Sequence, residues 1–399
     1  MTLSDDALTL GPAYIALGDG SALYGRLLVR DGVIAAIMPG DGPSHVELPV
    51  GTILAPGLID LHTNGVADRL FNRDHGGAVA AVAQAYPSFG ATAFLATVMT
   101  APWESMLYAV SEIVEAANVL EEGGMPQGAR CLGLHVEGPF LNPRGRGVHR
   151  PDLLLPATRE HLDALLEASA GALLMATLAP EVAGACEAAR LLREQGVVCS
   201  VGHTAARYPE GLDALEAGFR TVTHAFNAMP PLDHRDPSVL LAFLQHEQAM
   251  PQVICDGFHV APAMIDLLAR ILGPRLILST DAMPPVASGH HVRDGVVRTE
   301  DGTIAGSVLT PAQAVRNFME FASLPFERAI IGATYAPARL LGLEREIGHL
   351  HVGARADLSL WDEHHRVIAT FVGGRCVYIA DGAHIGMLRE MGVEPLSLQ

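Results

Sequence analysis

Apolar and polar positions alternate along this chain on two periods. Eight short apolar runs have strand length: Ile53–Leu61, Thr92–Thr97, Cys131–Val136, Ala172–Leu178, Val197–Val201, Thr221–Thr223, Gln252–Cys255 and Leu276–Thr280. Between them, apolar residues at three- and four-residue spacing predict helices over Ala78–Tyr86, Glu104–Leu120, Arg159–Ala168, Val182–Gln195, Tyr208–Ala217, Pro262–Leu272 and Pro311–Ala322. Regular alternation of strand and helix predicts βα units and a parallel sheet. Just past the runs come His62, Thr100, Glu137, Glu181, His203, His224, Asp256 with His259, and Asp281. In a (β/α)8 barrel the active site is built at the carboxyl ends of the strands. The pattern therefore predicts an α/β chain with a TIM-type barrel and its site at these junctions.

The two ends of the chain read differently. Ala22–Val29 and Val33–Met38 flank Arg30-Asp31-Gly32, an Asp-Gly hairpin signal. Near the other end, Leu358–Trp361 and Val367–Val372 precede a turn at Gly373-Gly374 and then Cys376–Ile379. Either end alone is too small to bury a core. Together they predict one small β-sandwich built from residues 1–54 and 344–399, with the barrel over 55–343. The 399 residues are more than the roughly 250 that a barrel needs, which leaves room for it.

Composition narrows the partners. Hydrophobic residues make up 49% of the chain and charged ones 18%, yet no run approaches the ~18 apolar residues of a membrane span. The start, Met1-Thr-Leu-Ser-Asp-Asp, lacks the basic and apolar regions of a signal peptide. Five cysteines without a C-x-x-C pair point to reduced thiols and a cytoplasmic location. A formal net charge of −18 argues against nucleic acid, and an anionic ligand would need a locally basic pocket. All 26 basic residues are arginine. Without lysine, Schiff-base aldolases, lysine-bound pyridoxal enzymes and Walker-type nucleotide sites are excluded. So are barrel hydrolases that bridge two metals with a carbamylated lysine.

The strand-end residues then suggest chemistry. His62 and Asn64 are two apart, so on a strand both face one side and could share a metal; otherwise His62 simply lines the barrel mouth. Glu137 closes the third run ahead of Gly138-Pro139, as a ligand or as a cap on the next helix. His203 and His224 each end a run. Two histidines and one glutamate, with one position left for water, form a catalytic zinc set, and no cysteine stands at any of these three strand ends for a structural thiolate site. Asp281, across the mouth, is a proton acceptor and donor or a further ligand. His149 follows the loop Arg144-Gly-Arg-Gly-Val, which looks mobile and able to fold over the site. There it polarises a carbonyl or is an ordinary surface residue. Arg235 and His259 are candidates for an anion site, assisted by backbone N–H groups near Asn227 and Ala228.

With those residues in place the chain resembles the N-acetylglucosamine-6-phosphate deacetylase family of the amidohydrolase superfamily. The resemblance runs through Pro56-Gly-Leu-Ile-Asp60, His135-Val-Glu-Gly-Pro-Phe140, Val201-Gly-His-Thr204, Thr223-His-Ala-Phe-Asn-Ala-Met229 and Asp256-Gly-Phe-His259. It continues through Ser279-Thr-Asp-Ala-Met283 to Asp301-Gly-Thr-Ile-Ala-Gly-Ser307. It implies a metal-dependent deacetylase with a divalent ion, zinc, held by Glu137, His203 and His224. Asp281 would be the general base and acid, and His149 the polariser of the acetamide carbonyl. Asn227, Ala228, Arg235 and His259 would bind a phosphorylated N-acetyl amino sugar. A homodimer is implied, with Arg235 reaching the neighbouring active site. Family members have either His-x-His with two metals at the first strand or neither histidine with one; His62 with Asn64 lies between, leaving the metal count open. A galactosamine-epimer deacetylase and a non-catalytic scaffold are the alternatives.

Overall fold

The computed structural model describes residues 7–122 and 128–380. The acidic start and residues 381–399 of the expected C-terminal unit lie outside the described residues. Leu58–Thr63, Ala91–Met99, Arg130–Glu137, Leu173–Leu178, Val198–Val201 and Thr221–Val222 form one parallel sheet, the first six barrel strands in order. Gln252–Ile254 and Ile277–Ser279 pair in parallel as the seventh and eighth. Backbone hydrogen bonds complete the ring. Ala225 N donates to Gln252 O at 2.7 Å, and Asp281 N donates to His62 O at 2.9 Å. The last strand is thereby sewn to the first, and every strand end faces one mouth.

All seven predicted helices are present, with ends shifted by three residues or fewer: Gly76–Ala85, Trp103–Glu122, Arg159–Ser169, Ala185–Glu194, Tyr208–Ala217, Pro262–Leu272 and Pro311–Phe321. Their starts follow local chemistry. Thr158 and Thr310 each accept a backbone N–H from the first turn, and proline begins Pro262–Leu272 and Pro311–Phe321. The apolar faces of these helices pack on the outward side of the strands, with Val79, Val82, Val110, Leu162, Leu192, Leu268 and Val315 all buried in one core.

The two chain ends do meet. Ile53–Pro56 pairs antiparallel with Leu358–Trp361 and parallel with Ala7–Ala16, which joins both ends in one eight-stranded sheet. Asp31 and Gly32 both take positive φ, 51° and 76°, as the hairpin signal requires. The first apolar run is two strands rather than one. Ile53–Pro56 belongs to this end sheet and Leu58–Thr63 to the barrel, with the break at Gly57. A Cβ on Gly57 would stand 2.1 Å from Thr92 Oγ1, so only glycine lets the chain cross from one sheet to the other here. Among the described residues no helix is long and apolar enough to cross a membrane.

Several elements are absent from the sequence expectation, short helices such as Tyr335–Leu340 among them, and two stand out. One is the helix Val239–Gln245. The other is an antiparallel sheet of His291–Arg293, Val296–Arg298 and Ile304–Ser307, tied to the barrel mouth through a bridge between Ala282 and Ser307.

Candidate active site

Buried polar contacts set the positions of the strand ends. Asp60 accepts hydrogen bonds from Thr280 Oγ1 at 2.7 Å and Tyr86 OH at 3.0 Å, which pins the first strand to the eighth just below the mouth. Burial raises the Asp60 pKa, and these hydrogen bonds oppose it. A second layer lies under the third to sixth strands. His135 Nε2 meets Thr177 Oγ1 at 2.7 Å, and Thr177 meets Thr223, which also meets Ser200. Past these layers the backbone turns sharply. His203, His224, Ala228 and Asp281 hold positive φ of 49°, 35°, 52° and 47°. Such left-handed geometry costs non-glycine residues on the order of 1–3 kcal/mol each and gathers at functional sites.

The turns bring four of the predicted residues to one carboxylate. Glu137 is 2% exposed. Its Oε1 lies 3.1 Å from His203 Nε2 and 3.3 Å from His224 Nε2. Its Oε2 lies 3.5 Å from His62 Nε2 and 3.8 Å from His149 Nε2. Asp281 Oδ1 stands 3.2 Å from His62 Nε2 and accepts a hydrogen bond from Asn64 Nδ2 at 2.9 Å. His62 and Asn64 thus do share one direction, as the two-residue spacing requires. Burial works to raise the Glu137 pKa, but the His62 charge, with His203 and His224 close by, holds it well below the usual range.

The donor set fits a divalent cation. His203 Nδ1 donates to Gly145 O at 3.0 Å, so in the neutral ring Nε2 presents a lone pair. That lone pair faces both a carboxylate oxygen and His224 Nε2, 3.1 Å away. Acceptors held this close inside a dry site repel one another unless a positive charge sits among them. His62 Nδ1 and Nε2, His149 Nδ1 and Nε2, and His224 Nδ1 have no hydrogen-bond partner although all are buried. Ligand atoms of Glu137, His149 and His203 lie within 4.8 Å of one another.

The remaining candidates line the same hollow, with one exception. A cavity of about 300 Å³ is bounded by Glu137, His149, His203, His224, Asn227, Ala228, His259 and Asp281 among others. The loop Arg144–His149 is already folded over it. His149 is 3% exposed and sets its ring 4.4 Å from that of His203. Burial first, then the neighbouring His203, pushes the His149 pKa down to about 3. His259 Nδ1 pairs with Asp256 Oδ2 at 2.6 Å, which leaves its Nε2 without a partner. Arg235 stands apart. It is exposed in the segment Pro231–Asp236, its backbone N–H capped by Asp233, and it does not line this chain's cavity. Sequence reasoning overlooked Met99, Ile254 and the Thr303–Gly306 stretch, which close the remaining wall. The Asp301-Gly-Thr-Ile-Ala-Gly-Ser307 motif was the available signal for the last of these.

A closed barrel with an imidazole- and carboxylate-lined pocket at its strand ends defines a hydrolase of the metal-dependent barrel class. Known proteins agree. The amidohydrolase family model matches residues 53–377. The chain is 34% identical over 364 residues to N-acetylglucosamine-6-phosphate deacetylase of Vibrio furnissii, covering 88% of this chain and 90% of the relative. It is equally 34% identical, over 360 residues, to N-acetylgalactosamine-6-phosphate deacetylase of Escherichia coli O157:H7, covering 88% and 94%. A solved Mycobacterium smegmatis N-acetyl-D-glucosamine-6-phosphate deacetylase variant in complex with N-acetyl-D-glucosamine-6-phosphate superposes with a TM-score of 0.85. It has 31% identity, over 93% of this chain and 99% of that one. The chain belongs to the amidohydrolase family.

Proposed function

We propose that this enzyme hydrolyses the N-acetyl group of N-acetyl-D-glucosamine 6-phosphate to glucosamine 6-phosphate and acetate, in amino-sugar breakdown. The observation that carries the reading is the convergence of His62, His149, His203 and His224 on Glu137, with Asp281 beside them. It stands in a chain similar over most of its length to deacetylases of amino-sugar phosphates.

Glu137, His203 and His224 would hold the divalent ion, zinc by its ligand chemistry, with His62 and Asn64 beside a possible second. When bound, such an ion polarises the acetamide carbonyl and lowers the pKa of water toward neutrality. Asp281 takes the proton of the attacking water and returns it to the departing nitrogen, without which an amide does not cleave. Asn64 Nδ2 and His62 Nε2 flank one Asp281 oxygen, Oδ1, orienting the carboxylate so that Oδ2 would take that proton. His149, with both ring nitrogens unpartnered, steadies the carbonyl oxygen. His259 Nε2 and the backbone at Asn227 and Ala228 would meet the sugar phosphate. Arg235, turned outward on its own chain, fits a role in a neighbouring site of a homodimer. Five free cysteines and the burial-raised pKa of Cys131 and Cys199, about 12 each, suit a reducing cytoplasm.

The second reading, the galactosamine epimer, is favoured by the equal identity to the Escherichia coli enzyme. Acetate release from the 6-phosphates of N-acetylglucosamine and N-acetylgalactosamine decides between them. We expect the larger kcat/KM on the glucosamine compound. A preference for the galactosamine compound would install the second reading, and no release from either would leave a non-catalytic scaffold.

A further inference from the structure

One strand-end carboxylate has no part in the chemistry above. Glu181 follows the fourth barrel strand, a position from which a side chain can reach the mouth, yet it lies outside the cavity lining. Its carboxylate is engaged elsewhere. Oε1 accepts hydrogen bonds from Asn142 Nδ2 at 2.9 Å and from Ala205 N at 2.6 Å, and Oε2 accepts one from Thr204 Oγ1 at 2.6 Å. Asn142 begins the loop that ends in His149. Thr204 and Ala205 directly follow His203. Glu181 therefore clamps together two separate segments, one carrying His149 of the cavity wall and the other His203.

The consequence reaches His203 through Asn142. Asn142 N donates to His203 O at 2.9 Å, Asn142 Oδ1 accepts from Arg144 N at 2.8 Å, and Asn142 O accepts from Gly145 N at 3.0 Å. These bonds shape a tight turn that delivers the Gly145 carbonyl to His203 Nδ1 at 3.0 Å. The approach is so close that a Cβ on Gly145 would stand 2.5 Å from Thr204 N, which is why glycine occupies the position. With Nδ1 committed to that carbonyl, His203 Nε2 is the lone pair aimed at Glu137 and His224. Partners of this kind fix the tautomer and ring direction of a ligating histidine, and losing one typically costs about 10–100-fold in metal affinity.

We propose that Glu181 is a positioning residue for the metal site, setting the tautomer and aim of His203 and the seating of His149 through Asn142 and Thr204. The inference rests on the reading of Glu137, His203 and His224 as a cation site and is independent of which sugar is cleaved.

The test measures zinc affinity of the full-length protein by competition with a chromophoric chelator, alongside Tm, in Glu181→Ala, Glu181→Gln and Asn142→Ala. Glu181→Ala should bind zinc about 10–100-fold more weakly than wild type. Glu181→Gln, which keeps one acceptor oxygen, should fall between them. Because Glu181 acts through Asn142, the double Ala variant should lose little more than Glu181→Ala alone. Should Glu181→Ala fail to fold, Asn142→Ala and Glu181→Gln carry the same comparison. Lowered Tm with wild-type zinc affinity would show that Glu181 only supports the fold, and would overturn the proposal. A wild-type protein that binds no zinc would instead overturn the cation site itself, and the proposal with it.

Discussion

His62 Nε2 stands 3.2 Å from Asp281 Oδ1, across the seam where the eighth barrel strand closes on the first. The same nitrogen is 3.5 Å from Glu137 Oε2, and the ring is fully buried. Two carboxylates in a dry site need positive charge nearby. Without a metal ion, a protonated His62 supplies it.

The balance of effects on His62 gives a pH prediction. Burial disfavours its charged form, but Asp281 and Glu137 outweigh burial and raise its pKa from 6.5 to about 9 in the metal-free protein. A group whose pKa rises on folding stabilises the fold fully below its unfolded pKa, and that contribution disappears as pH rises through the folded value. Between pH 6.5 and 9, chelator-treated protein should therefore lose up to about 3 kcal/mol of stability from this group. His149, with its pKa depressed to about 3, acts in the opposite sense and below pH 6.5, so it does not obscure this window. Urea unfolding across the window would show the slope. Its persistence in His62→Gln would mean that another group is responsible.

Metal retention should depend on the histidines nearest Glu137 Oε1. Replacing His203 or His224 by Ala would remove one of the three proposed ligands, so bound metal and activity should fall together. His62→Ala should cost less, since its ring contacts the other carboxylate oxygen. Elemental analysis of the purified variants checks this. Full metal occupancy in both His203→Ala and His224→Ala would place the ion elsewhere.

How much of this was readable in advance follows from the physics of each signal. Barrel strands announce themselves because they are apolar on both faces and stop at a polar residue, and the ends at Glu137, His203, His224 and Asp281 fell where that pattern put them. The helix Val239–Gln245 gave no signal because five of its seven residues are buried, which leaves a continuous apolar run with no period. The sheet His291–Ser307 was missed for the opposite reason: its strands have three or four residues, and His291–Arg293 is exposed throughout. The division of Ile53–Leu61 at Gly57 depends on contact with Thr92, distant in sequence. The same holds for Glu181, whose partners at 142, 204 and 205 are set by the fold alone.

Asp281→Asn tests the proton transfer. The amide keeps the shape and its place beside Asn64, but it cannot accept the proton of water. General acid–base catalysis contributes typically 10²–10⁴-fold, so kcat should fall by about that factor while KM changes far less. Steady-state acetate release measures both. Near wild-type turnover would move the proton to another group.

Arg235 carries the test of assembly. The protein bears a net charge of −18, so a phosphorylated sugar is repelled unless the pocket is locally basic. Among the described residues no arginine lines the cavity, whose basic side chains are the histidines His149, His203, His224 and His259, and Arg235 is exposed beside Asp233. An arginine supplied by a second subunit would complete the charge. Arg235→Ala should then reduce kcat/KM on the 6-phosphate substrate and barely change any residual activity on the unphosphorylated sugar. Equal loss on both substrates, or none on either, would remove Arg235 from phosphate binding. Mixed with Asp281→Asn, the two variants should form hybrid dimers in which one site regains both residues, so activity rises above the sum of the separate variants. A protein whose sites are complete within one chain has no route to that gain, so strictly additive activity would return Arg235 to its own subunit.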